Sequence, residues 1–203
     1  MEFRLFALEP PTNIQRAVQA IQEQLYSRWS LVSALALPPL IPLLFVHGAS
    51  RISEGKQAEA LRTALRGQAA PRAPRLATGS YILAGECLFW EVISGGPGGT
   101  LQELSGLCLR FLAGFSEAQR AREPPFPEQT GFLLALREQG VDLGQALSDL
   151  SPAPRLTFPV SALVLLRALS LPSIPAGAER PWWEALQWEE ALRAPLKKPK
   201  RES

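Results

Sequence analysis

The strongest constraint on the fold of this chain is the stretch Leu31–Gly48. Its apolar run, Leu31 to Val46, is the longest in the sequence and is broken by Pro38, Pro39 and Pro42. It is shorter than the ~20 apolar residues a membrane-spanning helix needs, and three prolines would break such a helix. Pro38-Pro39 makes a rigid entry, and Leu40 to His47 then reads as a buried strand. Gly48 permits the turn that leaves it. On physics alone this is a core strand and says nothing about activity.

A chain of 203 residues suffices for one domain or two small lobes sharing a core. With 46% hydrophobic and 20% charged residues it is globular rather than disordered. The net charge of +2 is misleading. Four of the 21 basic residues (Lys197, Lys198, Lys200, Arg201) and one of the 19 acidic ones (Glu202) lie in the last seven positions. The body is therefore near neutral, and no global basic field argues for nucleic acid. Two cysteines, Cys87 and Cys108, make neither a disulfide framework nor a zinc site. They read as small buried hydrophobes in a reducing cytoplasm, and no signal peptide is evident.

Along the chain, Phe3–Leu8 is a strand stopped by Pro10-Pro11. Thr12 or Asn13 is placed to cap a helix whose inward stripe is Ile14, Val18, Ile21 and Leu25. Leu31–Leu37 is apolar and of undecided form. Ser53 opens a second helix, with Ala58, Leu61 and Leu65 inward and Gly67 as its stop. Leu76–Ala84 and Glu86–Ile93 read as two strands joined near Gly85. Gly95–Gly99 lacks the Lys-Ser/Thr of a phosphate loop. Thr100-Leu-Gln-Glu103 is a capping box followed by Leu104, Cys108, Phe111 and Leu112 at helical spacing. Thr130–Leu136 and Val160–Leu169 are strands, and Asp142–Leu150 is a short helix or turn. In Trp182–Leu192, Glu, Ala and Leu favour helix, whereas Trp182, Leu186 and Trp188 fit alternation. Residues 197–203 read as a disordered basic tail, leaving 1–196 as one domain. This order suits antiparallel sheets covered by helices, an α+β fold, rather than a regular βαβ series.

Four segments carry a resemblance to a known family. They are Arg4-Leu-Phe-Ala-Leu-Glu-Pro-Pro with the helix after it, Pro39–Gly48, Phe126-Pro-Glu-Gln-Thr130, and Phe158–Ser170; the Trp-rich segment matches as a closing strand. Their order and spacing resemble the 2H phosphoesterase superfamily, in its bacterial 2'-5' RNA ligase / RNA 2',3'-cyclic phosphodiesterase branch. The resemblance implies a bilobal fold, two antiparallel sheets around a central cleft with helices outside. It implies two His-x-Ser/Thr motifs, one per lobe. In each, residues i and i+2 of a strand share a face. One imidazole takes a proton from the attacking group and the other protonates the leaving oxygen, while the hydroxyls hold phosphate.

Carried over by position, the first motif falls on Ile41 and Leu43, both aliphatic. The second falls on Glu128 and Thr130, which keeps the hydroxyl and exchanges the imidazole for a carboxylate. Each lost acid or base costs a factor of about 10²–10⁴ in rate, so the resemblance implies a degenerate site. His47 is the one histidine of the chain. It reads as a strand-end residue bonded to backbone, on the same face as Ile41 by residue count. A register-shifted motif starting there would put Ala49 at the hydroxyl position. Arg51, Arg137, Arg155 and Thr130 are the weak candidates for holding a ligand. No metal set and no cofactor is read from the sequence, and the expected partners are a nucleotide, an RNA end or a protein. Two other readings stand beside this one: an active cyclic phosphodiesterase with a non-standard site, and a protein-interaction module. Trp182, Trp183 and Trp188 read as core closers, with base stacking as the alternative.

Overall fold

Pro10 and Pro11 cannot extend a ladder, so the first strand, β1 (Glu2–Glu9), ends there and the chain turns into α1 (Thr12–Trp29). The computed structural model describes residues 2–47, 73–94, 130–170 and 186–196. It also describes single helical positions at Lys56, Glu59, Thr63, Leu101, Leu104, Gly106 and Cys108. Neither Thr12 nor Asn13 caps α1. The N-cap is Pro11, without a side-chain bond, and its carbonyl accepts from Ile14 N (2.9 Å) and Gln15 N (3.1 Å). The diproline fixes the entry by backbone geometry, so the polar caps are not needed there. The undecided stretch after α1 holds a short helix, α2 (Val32–Ala36), and β2 (Ile41–His47) follows.

A hairpin of β3 (Arg75–Ala84) and β4 (Cys87–Ser94) turns at Gly85, whose φ of 58° suits glycine. Then come β5 (Gly131–Leu136), α3 (Leu143–Ser148), β6 (Thr157–Pro159), β7 (Ala162–Ser170) and β8 (Leu186–Pro195). The expected strand Val160–Leu169 is β7, the short β6 before it was not expected, and the undecided Trp-rich segment is strand β8 from Leu186 onward. The helix starting at Ser53 and the one after the capping box are helical at their described positions; Leu104 and Cys108 are buried, whereas Ala58, Leu61, Leu65, Phe111 and Leu112 lie outside the described residues.

The strands form two antiparallel four-stranded sheets, ordered β2-β1-β7-β8 and β5-β4-β3-β6. Alternation splits each central strand between two buried clusters. Phe6, Leu8, Leu163, Leu165, Leu88 and Trp90 join the larger cluster, which takes in the buried residues of α1, α2 and α3. Leu5, Ala7, Val164, Leu166, Cys87, Phe89 and Leu133 join the smaller one, which draws on both sheets and on no helix. Both faces of β1, β7 and the first half of β4 are therefore buried, which is why they read as continuous apolar runs.

The sheets approach each other at their edges, where β2 lies against β5. Polar bonds join α2 to the end of β5, and the end of β1 to the residue before β7 and to β8. The buried Ser33 hydroxyl donates to Leu136 O (3.3 Å) and accepts from Leu136 N (3.0 Å). Ser33 N donates to Glu138 Oε1 (2.7 Å), so a carboxylate just past β5 satisfies the start of α2. Glu9, at the end of β1, accepts from Arg193 Nη1 (2.7 Å) and the Ser161 hydroxyl (3.0 Å).

Candidate functional site

Ile41, where the resemblance places the first acid/base, pairs with Leu8 in the β1–β2 ladder and is 0% exposed. It belongs to the larger, helix-packed cluster, and Leu43 packs partly buried against the same cluster. The ladder slips between Phe6 and Ala7, passing from Leu44 to Pro42, so Leu43 is the extra residue of a bulge. This corrects the residue count for His47. It pairs with Phe3, five ladder positions from the Leu8–Ile41 pair rather than six, so positions 41 and 47 are out of phase.

Thr130, half-buried, immediately precedes β5 and its carbonyl accepts from Val92 N (2.9 Å). Glu128 and Arg51 lie outside the described residues. Arg137 leaves the far end of β5, seven residues and roughly 23 Å of extended chain from Thr130. It is exposed and ion-paired with exposed Glu86 at 3.6 Å. Arg155 lies at the same end of its sheet as Thr130. Thr78 pairs with Val92 in β4 and exchanges bonds with Leu156, next to Arg155, at 2.9 Å (N to O) and 2.8 Å (Leu156 N to Thr78 Oγ1). Three strand spacings, about 14 Å, separate that position from Thr130. Of the expected arginines that are described, Arg137 and Arg155 are thus not gathered around Thr130. Among the described residues no group of His, Cys, Asp and Glu is arranged to hold a metal, and no helix is long and apolar enough to cross a membrane.

Burial pushes the Cys87 thiol up to about 11, with Glu86 adding to it, and the Cys108 thiol up to about 12. The Arg193 guanidinium holds Glu190 below the usual carboxylate range through a hydrogen bond.

Two cavities stand apart from the motif positions. One, of about 600 Å³, is lined by Glu86, Arg137, Glu138, Gly140 and Asp142. Its acidic groups are committed: Glu138 to Ser33 N, Glu86 to Arg137, and Asp142 as the cap of α3, accepting from Gly144 N at 2.8 Å. The other, of about 370 Å³, lies between α1, the α2–β2 connection and Trp188 of β8. The sequence did not reveal it, because its walls are distant in the chain. Trp188 is half-buried and packs on the smaller cluster, as the core reading expects, with its indole N–H donating to Ala36 O (2.7 Å). Trp182 and Trp183 lie outside the described residues.

No family model matches the sequence, and no curated protein matches it. Solved structures do. TT0787 of Thermus thermophilus superposes with a TM-score of 0.60 at 16% identity, covering 98% of this chain and 100% of that one. LigT of E. coli, complexed with 3'-AMP, gives 0.57 at 14% identity, covering 96% and 98%. A protein described as a phosphoesterase gives 0.52 at 15% identity, covering 97% and 98%. The fold is therefore LigT-like over nearly its whole length, the α+β architecture that the sequence resemblance implies.

Proposed function

We propose that this chain is a catalytically degenerate member of the 2'-5' RNA ligase/2H phosphoesterase group, one that holds a nucleotide or RNA end without turning it over. The observation that carries the reading is Ile41. Where the fold's chemistry calls for an imidazole, the chain has a fully buried aliphatic residue paired with Leu8. The sequence also holds a single histidine, so a two-imidazole proton relay cannot be assembled from it. Nucleotide binding is supported by the 3'-AMP complex of LigT and by the half-buried hydroxyl-bearing Thr130.

The test pairs two measurements on the purified protein: hydrolysis of a nucleoside 2',3'-cyclic phosphate, and binding of 3'-AMP by calorimetry. The reading expects no turnover above background together with saturable binding that Thr130→Val weakens. Turnover abolished by His47→Ala would instead establish an active enzyme with a non-standard site. Neither turnover nor binding would leave the protein-interaction reading.

A further inference from the structure

The smaller cavity has an unusual balance of hydrogen-bonding groups. Gln19, Gln22 and Glu23 line it from one face of α1, being spaced i, i+3 and i+4. Gln22 is only 3% exposed, and its amide nitrogen is committed to Leu37 O (3.2 Å) and, more weakly, Leu133 O (3.5 Å). An amide NH₂ has two protons, so Gln22 has its oxygen left to offer. Trp188 has a single donor, and Ala36 O takes it. The indole therefore offers only ring surface. Pro38 and Pro39 have no N–H at all. Glu23 is exposed at the rim and adds a carboxylate, and among the described residues no lysine or arginine lines the cavity. Beside it Leu35 keeps 52% of its surface exposed, an apolar shelf at the mouth.

These walls carry a carboxylate, amide oxygens and a π face locked in place, and their side-chain donors still to be used are those of the exposed Gln19 amide. Phosphate and carboxylate ligands need the opposite. We propose that this cavity is a binding site for an organic cation on an aliphatic stem, a guanidinium or primary ammonium group. The cationic head stacks on the Trp188 ring and donates to the Glu23 carboxylate and the Gln22 amide oxygen. The stem lies along Pro38, Pro39 and Leu35. A volume of about 370 Å³ accommodates such a group and falls in the size range of ligand pockets. The site is lined by none of Ile41, Leu43 and Thr130 and does not depend on nucleotide binding at the motif positions.

Two probes carry the same chemistry from two sources: N-acetyl-arginine amide as a free cation, and a peptide of sequence Lys-Lys-Pro-Lys-Arg as a protein segment. Binding is followed by calorimetry and by the Trp188 indole N–H resonance, assigned with Trp188→Phe. Both probes are expected to shift that resonance, and the tighter binder identifies the source. Glu23→Gln, an exposed substitution that leaves the fold intact, should weaken binding about fivefold, and Trp188→Leu about tenfold. A Glu23→Gln protein that binds as tightly as the native one overturns the proposal. So does 3'-AMP displacing the probe from Trp188, or no shift of the resonance at 20-fold excess of either probe.

Discussion

Placing an imidazole at position 41 tests whether that position belongs to a cleft or to the core. In Ile41→His, the chain gives up the burial of an isoleucine that is 0% exposed, worth about 1.5–3 kcal/mol. The ring that replaces it brings one donor and one acceptor to a place whose ladder partner is Leu8 and whose cluster is hydrocarbon. Leaving those groups unsatisfied costs a further 1–3 kcal/mol or so. The expected loss is thus about 3–5 kcal/mol, or roughly 10 °C in Tm for a domain of this size. The loss also depends on pH. Burial disfavours the charged ring, so its pKa in the fold falls below the value of about 6.5 it has in the unfolded chain. As pH falls below ~6.5, the unfolded state takes up the proton first. Stability then declines by an additional amount of up to about 1.4 kcal/mol per pH unit. Urea melts of native and variant protein at pH 8 and pH 5.5 measure both effects, alongside a 2',3'-cyclic phosphodiesterase assay. The expected outcome is a gap that widens at the lower pH, with no activity gained. A variant as stable as the native protein at both pH values would show that position 41 faces solvent and that the burial argument is wrong.

Ser33→Ala should destabilise the protein by about 1–3 kcal/mol, because the hydroxyl both donates to and accepts from the backbone of Leu136 where α2 meets β5. Hydrogen exchange at the Leu136 amide should speed up in step, and unchanged exchange would mean that water replaces the hydroxyl without cost. The two thiols make a prediction of opposite pH sense to that of an introduced histidine. Their folded pKa values, about 11 for Cys87 and about 12 for Cys108, lie above the ordinary 9.0. Above pH 9 the unfolded chain sheds protons that the fold retains. Stability is therefore full below that pH and falls as pH rises toward 11, by up to about 1.4 kcal/mol per unit for each thiol. Native protein at pH 8 should resist alkylation by iodoacetamide while urea-unfolded protein labels at both cysteines; rapid labelling of the folded protein would contradict the burial of both.

The sequence disclosed elements whose signal is local and hid those decided by partners. Phe3–Leu8 and the helix stripe Ile14, Val18 and Leu25 were legible because burial on one face repeats at a fixed period. The β3–β4 hairpin was legible because Gly85 marks its turn. Residues 186–195 were not, since Glu189, Glu190, Ala191 and Leu192 are good helix formers. They become a strand because β7 offers a ladder, Arg167 opposite Glu189 and Leu165 opposite Leu192. The register of β2 was hidden for the same reason. One bulged residue, Leu43, makes every count along the strand wrong by one, and nothing in the residue types announces it.

The motif comparison does not depend on that phase, because it rests on the residue types at named positions. Ile41 is aliphatic whichever way the strand is counted, and the structure adds that it is buried. The cavity beside Trp188 lies at the other extreme. Its walls come from α1, from the Pro38-Pro39 connection and from β8, so no window of sequence contains it. Its selectivity follows from donors already spent, Gln22 on Leu37 and Trp188 on Ala36, and spent donors are invisible until the partners are in place. A scaffold that loses its proton relay no longer needs an anion-binding cleft for turnover, but its seams still form wherever helices meet strand edges. New recognition on such a fold is therefore to be sought at those seams, where acceptors left over from packing have no donor of their own.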